Sequence, residues 1–281
     1  MNRRVLRRLV SHFMVGLMAV AVILAVLPLL FILGTLLVKG AGSLNLAFFT
    51  RLPVPAGETG GGVAHAIVGT LIMVGTACLM GLPIGIAAGI FCAEYAGSSL
   101  ARATRFLADV MNGTPSIVVG VFAWTWIVAQ QRHFSAFAGA AALAVLMIPM
   151  VLRTTEELIK LVPNSLREAA LALGYPRWRT SLSVMLRTAL PGMVTGILLA
   201  VARVAGETAP LLFTALGSQF MSTDLKQPMA ALPLVVFTYA TGPYEEWHRL
   251  AWATALVLIL VVLLLSIASR LATRQRFDRP E

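Results

Sequence analysis

Residues 162–191 read VPNSLREAALALGYPRWRTSLSVMLRTALP, a polar, charged stretch set between long apolar runs. Pro163 cannot sit inside a helix without losing a backbone hydrogen bond. Ser165 and Glu168 have the spacing of a capping box, in which the hydroxyl accepts the Glu168 N–H and the carboxylate reaches back. A short helix is expected over 166–173. Gly174 supplies the left-handed residue that closes such a helix, and Pro176 prevents its continuation. Leu166, Ala169, Ala170 and Leu173 share one side at spacings of three and four. Two of those four are alanines, so another surface could come close to the backbone. The stretch reads as a small, rigid knob on a loop between membrane spans.

The flanking sequence explains why they are spans. The chain has 281 residues, of which 58% are hydrophobic and 12% charged. A soluble domain carries about 25% charged residues, so the lipid bilayer is the natural solvent here. Apolar runs are expected to cross at 13–38, 63–91, up to about Ala129, 135–152, 190–213 and 250–269. The first is too long for a signal peptide and lacks a small-residue cleavage site, so it is expected to be retained. The segment 39–62 is rich in Gly and Pro and reads as a loop with little fixed structure. Gly81, Gly85 and Gly89 recur every four residues and make a flat ridge on the second span, suited to close helix approach. After a polar link at 94–105, residues 109–116 read DVMNGTPS, polar for membrane depth. Backbone broken at Gly113 and Pro115 needs protein or water around it. The loop 217–243 holds an apolar patch at 232–239 that is too short to cross.

The net charge is +10. Basic residues are not interleaved with aromatics on a polar face, which argues against nucleic acid. Instead they sit in short loops. With six spans and the N-terminus in the cytoplasm, 16 of the 22 Lys and Arg fall inside. This bias places both termini and the knob in the cytoplasm. The expected organisation is an N-terminal segment 1–12, a first span 13–38, a five-span core 63–270 with a cytoplasmic loop at 153–189, and a tail 271–281.

Arg203 and Glu207 interrupt the fifth apolar run. A charge at that depth costs a few kcal/mol on insertion scales and should face protein or water. The spacing of four allows the two to pair. Gly192, Gly196, Ala200, Arg203 and Glu207 fall within an ~80° sector, so small residues and charges share one face. That face is expected to meet another helix or a water-filled path. A guanidinium offers fixed charge and a planar donor fork suited to oxyanions. A structural ion pair between helices is the alternative.

Two motifs carry a resemblance. Glu168-Ala169-Ala170, followed three residues later by Gly174, resembles the EAA loop of ABC-importer permeases. The family pattern continues with nine residues and then I-x-L-P; here that position reads Val184-Met185-Leu186-Arg187, with Arg in place of Pro. Leu190-Pro191 offers a displaced hinge. Residues 203–212, RVAGETAPLL, are similar to the RxxGETAPLL signature of phosphate-specific transport permeases. Agreement extends through Gly60–Thr70, Glu94-Tyr95, Gly113–Gly120 and Arg153–Glu157, and is greatest with the second of the two permeases of that system.

The resemblance implies an all-α integral membrane protein with six transmembrane helices and type I ABC-importer permease (MetI-like) architecture. It implies a substrate pathway involving Arg203, Glu207, Arg153 and Glu156, and ATPase coupling through Glu168, Ala169, Ala170 and Gly174. The implied partners are a second permease, two ATPase subunits and an extracytoplasmic phosphate-binding protein, in a bacterial inner membrane. No cofactor is expected: the chain has no GxxxxGK[ST] loop, so ATP belongs to the partner subunits.

No nucleophile–base set argues for chemistry on a substrate, so no catalytic residues are expected. The two cysteines, Cys78 and Cys92, lie in one span and suggest neither a disulfide nor a metal site. His65 and His248 read as interface residues, and Glu94 as the solvated end of a span. Other readings remain: an importer of another oxyanion or solute, or a secondary transporter or channel gated by Arg203 and Glu207.

Overall fold

The computed structural model describes residues 3–55, 58 and 60–277. Of the expected terminal segments, positions 1–2 and 278–281 lie outside the described residues. Helix α1 spans Arg3–Gly40 and contains Pro28 without interruption of the element. A short helix α2, Leu46–Thr50, follows. Then come α3 (Ala64–Glu94) and α4 (Ser99–Gly113). Helix α5, Ser116–Gln131, is bent from α4 by 102°. The remaining elements are α6 (Ala136–Lys160), α7 (Asn164–Ala172), α8 (Arg177–Ala205), α9 (Ala209–Thr214), α10 (Leu232–Ala240) and α11 (Glu245–Phe277).

Five of these helices are long and apolar enough to cross a membrane, and the bent pair α4–α5 brings the number to six when it is counted as one broken span. Sixteen residues of α5 reach about 24 Å, less than the ~30 Å hydrocarbon core. Its far end carries Gln130, Gln131 and Arg132, so the break at Thr114-Pro115 is the end that stops short.

The core is built by close approach of α3, α6 and α8. The α3–α6 contact is the most extensive in the molecule. A Cβ added at Gly85 would lie 2.8 Å from Val151 Cβ, and one at Gly89 2.5 Å from Thr155 Cβ. The expected ridge therefore abuts α6 directly. On the other side, Gly192 and Gly196 of α8 meet Leu158 and Thr154 of α6. Met73, Met147, Val151, Val204 and Leu211 fill the space between these helices and α9. Without a hydrophobic drive between helices in lipid, such packing is what holds them together.

Several boundaries differ from the sequence reading. The fifth span starts at Arg177 and ends at Ala205, rather than running over 190–213. Pro191 lies inside it and breaks nothing. The irregular turn is a π-helical one at Ser181–Met185, just before the Arg187 that stands at the family's proline position. The fourth span runs on to Lys160, so the first turns of the expected 153–189 loop are helix. The polar link at 94–105 becomes the start of α4, capped by Ser98, whose hydroxyl accepts the Ala101 N–H at 3.1 Å.

The segment 39–62 is more fixed than its Gly and Pro content suggested. Asn45 caps α2, and Phe48 is 1% exposed in a cluster with Val63, Tyr239 and Val257. Ala56, Gly57 and Thr59 in this segment lie outside the described residues. His65, expected at an interface, is 3% exposed. The apolar patch at 232–239 is helix α10, nine residues long and too short to cross, as expected.

Candidate translocation and coupling sites

The DVMNGTPS stretch makes the first wall of the site. Thr114 and Pro115 have extended ψ values of 130° and 135°, which ends α4 and restarts the chain as α5. Pro suits this place because its fixed φ begins a helix and it has no N–H to leave unpaired. Asn112, Thr114 and Ser116 are brought beside the C-terminal end of α8. Together with Leu146 and Met150 of α6, and Arg203, Val204 and Glu207, they line a recess of about 170 Å³.

Arg203 occupies the last turn of α8, where the negative end of the helix dipole favours a cation. It is exposed on the surface of the chain. Glu207 lies beyond the helix, in the Gly206–Thr208 break before α9, and is half-buried. The two do not form the i,i+4 ion pair that their spacing allows, because the helix ends between them. Both nonetheless face the same recess. The positive end of α5 starts at Ser116 on the opposite wall. The site thus offers a guanidinium, a helix N-terminus, hydroxyls, an amide and one carboxylate acceptor. Ala200, Gly196 and Gly192 continue the face of Arg203 along α8 and meet α6, as the sector predicted for the small residues.

Arg153 and Glu156 stand elsewhere. Glu156 is 1% exposed and receives Arg105 Nε at 2.6 Å and Lys160 Nζ at 2.5 Å. An Arg153 nitrogen lies 3.5 Å from its other oxygen. Arg153 also donates to both carboxylate oxygens of Asp109, from Nε at 3.0 Å and from a terminal nitrogen. Arg105 further donates to the carbonyls of Cys92 at 2.7 Å and Ala96 at 3.2 Å. The network ties the end of α3, the middle of α4 and the last turns of α6 into one block. It adjoins the recess: Asp109 precedes Asn112 by three residues, and Arg153 follows Met150 by three, about one helical turn in each case.

Arg105, Asp109 and Lys160 were not singled out from sequence as partners of Glu156 and Arg153. The Arg105–Glu156 and Arg153–Asp109 pairs are 51 and 44 residues apart, and no local spacing signals them. Only Lys160, at i,i+4, carried a readable signal.

The knob expected to couple to a partner is α7. It begins at Asn164 with Pro163 at the cap position, so Ser165 falls inside the first turn and the capping box is not made. Its end follows the sequence reading. Gly174 has φ +83°, its N–H donates to Leu171 O at 2.9 Å, and Tyr175 N–H donates to Ala170 O at 3.2 Å. This is the paired closure of a Schellman motif. Glu168, Ala169, Leu166 and Leu173 are exposed, while Ala170 is buried against the rest of the chain. Arg167 pairs with Glu94 at the end of α3 through both carboxylate oxygens, one at 2.8 Å, which fastens the knob to the second span. Glu94, with a side chain 13% exposed, is therefore a structural partner rather than a solvated end.

A bundle of membrane-length helices carrying an exposed helical knob and a polar recess at a broken span is the build of a transporter permease. The sequence profile of the family described as binding-protein-dependent transport system inner membrane component matches residues 85–276, and the chain belongs to that family. Solved structures agree in fold. The inward-facing MetNI methionine ABC transporter superposes with TM-score 0.60 at 19% identity, over 76% of this chain and 93% of that one. A bacterial alginate ABC transporter, solved in complex with an alginate pentasaccharide-bound periplasmic protein, gives 0.65 at 13% identity, over 99% and 100%.

Within the family, the chain is 51% identical over 86% of its length to the phosphate transport system permease protein PstA of Yersinia pestis, covering 82% of that protein. It is 46% identical to the PstA of Pasteurella multocida, with 96% of each chain covered. The PstA of Haemophilus influenzae is also 46% identical, with 94% of each covered.

Proposed function

We propose that this chain is the permease subunit of an ATP-driven importer of inorganic phosphate. The observation that carries the reading is the recess where Arg203 and Glu207 meet the broken α4–α5 span. The relatives named as phosphate transport permeases support the choice of solute. Its chemistry fits a partly protonated oxyanion. Arg203 and the start of α5 attract the negative oxygens. Glu207 accepts a hydrogen bond from a P–OH group, which sulfate lacks at neutral pH. A carboxylate also keeps the site from holding the anion too tightly for release.

Arg203 is open on the face of the single chain, and an uncovered guanidinium at membrane depth is costly. A second permease would cover it and complete the path. Both termini and α7 lie in the cytoplasm of a bacterial cell in this reading, because the basic loops fall on that side. Two ATPase subunits dock on the exposed Glu168, Ala169 and Gly174 side of the knobs, and an extracytoplasmic phosphate-binding protein delivers the ion. Closure of the ATPases pushes α7. The Arg167–Glu94 pair and the Glu156 network carry the push into α3, α4 and α6, which rock the recess from one face of the membrane to the other. Arg153 and Glu156 act in this block, next to the path, rather than beside Arg203.

The test is labelled phosphate uptake into vesicles holding the reconstituted complex. Arg203→Gln abolishes uptake, while the complex assembles and retains ATP hydrolysis. Undiminished ATP-dependent uptake by that variant removes Arg203 from the mechanism.

A further inference from the structure

A second and larger cavity lies away from the recess, between the C-terminal end of α3 and the N-terminal end of α8. Its volume is about 530 Å³, within the range of cavities that hold small organic ligands. One wall is apolar, made by Ile90, Phe91 and Leu182. The rim is polar and aromatic, with Arg177, Trp178 and Tyr95.

The nearby cations differ in what they already bind. Arg167 is neutralised by Glu94, and Arg179 stacks over Tyr175 at 4.8 Å. Arg177 has no ion-pair partner among the described residues. Helix α8 begins at this same residue with no side-chain cap, so its first N–H groups add positive charge at the rim. The π-turn at Ser181–Met185 widens the wall immediately behind it, a local irregularity often found at functional sites.

Two properties of this cavity must be met at once. An inorganic anion would use Arg177 and leave the apolar wall wet. A neutral apolar molecule would use the wall and leave Arg177 unused. The cavity stands at the ends of two spans, where Trp and Tyr sit at headgroup level, and Leu182 in its wall is 46% exposed on the surface of the chain. We infer that this cleft binds one anionic phospholipid, with its phosphodiester on Arg177 and the start of α8 and its upper acyl segment along Ile90, Phe91 and Leu182. The bound lipid bridges α3 and α8 beside the Arg167–Glu94 pair, which lines the same cavity, so it stiffens the support of the knob. The inference rests on the reading of α3 and α8 as spans, and not on phosphate as the transported solute.

Native mass spectrometry of the detergent-solubilised, assembled complex tests it. The probes are phosphatidylglycerol and phosphatidylcholine with identical acyl chains. The intact complex retains phosphatidylglycerol well above phosphatidylcholine, which shares the phosphodiester but carries a choline cation that Arg177 and the start of α8 repel. Arg177→Gln reduces the phosphatidylglycerol occupancy about tenfold, while Arg179→Gln, which removes a charge two residues away, leaves it unchanged. Leu182→Trp, which fills the cleft without touching the charge, also reduces it and provides a second route if Arg177→Gln assembles poorly. Retention undiminished from the parent's in both Arg177→Gln and Leu182→Trp overturns the assignment. So does displacement of the lipid by millimolar inorganic phosphate, which would make the site one for a free anion, or loss of ATPase subunits with lipid retained, which would make it a protein contact. Phosphate uptake by the same variants, compared with Arg203→Gln, separates failure of this site from failure of the pathway.

Discussion

Replacing Glu156 by Gln removes the only carboxylate within reach of Arg105 among the described residues and leaves a guanidinium at the α3–α4–α6 junction without its counter-charge. The Arg105 side chain is 18% exposed and that of Glu156 2%, so water replaces little of what is lost. Breaking one partner of a buried pair costs about 3–5 kcal/mol. Two features bring the value toward the lower end. Arg105 keeps the carbonyls of Cys92 and Ala96, and Lys160, with a side chain 47% exposed, turns to solvent at little cost. A loss of about 3 kcal/mol corresponds to a fall of roughly 6–12 °C in the melting midpoint of a domain of this size. Scanning fluorescence on the purified, assembled complex measures it. Lys160→Met shifts the midpoint far less. The double variant Arg105→Gln/Glu156→Gln recovers stability relative to Glu156→Gln alone, because both charges leave together. A Glu156→Gln complex as stable as the parent, or a double variant no better than the single, would refute the view that this network is held by its central carboxylate.

Three further outcomes follow from the packing and the knob. Gly196→Val places a Cβ 2.1 Å from Thr154 Cγ2, so the yield of folded complex on gel filtration falls sharply, whereas Gly75→Ala, with nothing within 4 Å, behaves as the parent. Gly174→Val forces a β-branched residue to φ +83° at a cost of about 1–2 kcal/mol, and co-purification of the ATPase subunits drops; Gly174→Asn, which tolerates that region, drops less. Arg167→Met unfastens the knob from α3, so ATP hydrolysis persists while uptake per ATP falls, as read by comparing phosphate release with labelled uptake.

The features legible in the sequence were those written locally. The apolar runs rest on local composition, the glycine ridge and the small-residue face ending at Arg203 on spacings of three and four, and the Gly174 closure on one residue type, and the structure carries all of them. Helix limits were less legible, because apolar composition marks what lipid touches and not where the backbone bonds stop. Arg177–Thr188 is polar enough to read as loop, yet it continues α8 as helix. Conversely, the apolar GETAPLL stretch looked like continuous span, but the chain breaks at Gly206–Thr208 and restarts as α9. That break keeps Arg203 and Glu207 from pairing, yet both face one recess. Asp109 and Arg105 were invisible as partners since their contacts join distant segments. Ser165 was misplaced by two residues, because the helix starts at Asn164 with Pro163 at its cap position.

The idea with most resting on it is that the recess at the broken span is wet and holds phosphate. Thiol modification tests this directly. In a Cys78→Ala background, Ser116→Cys places one reactive group on the recess wall. The complex is reconstituted in vesicles with its binding protein, and the rate of reaction with a water-soluble thiol reagent is measured with phosphate or sulfate present. The account predicts that the cysteine reacts in the membrane and that phosphate, but not sulfate, slows it. A cysteine that reacts only in detergent, or at a rate indifferent to phosphate, would contradict it.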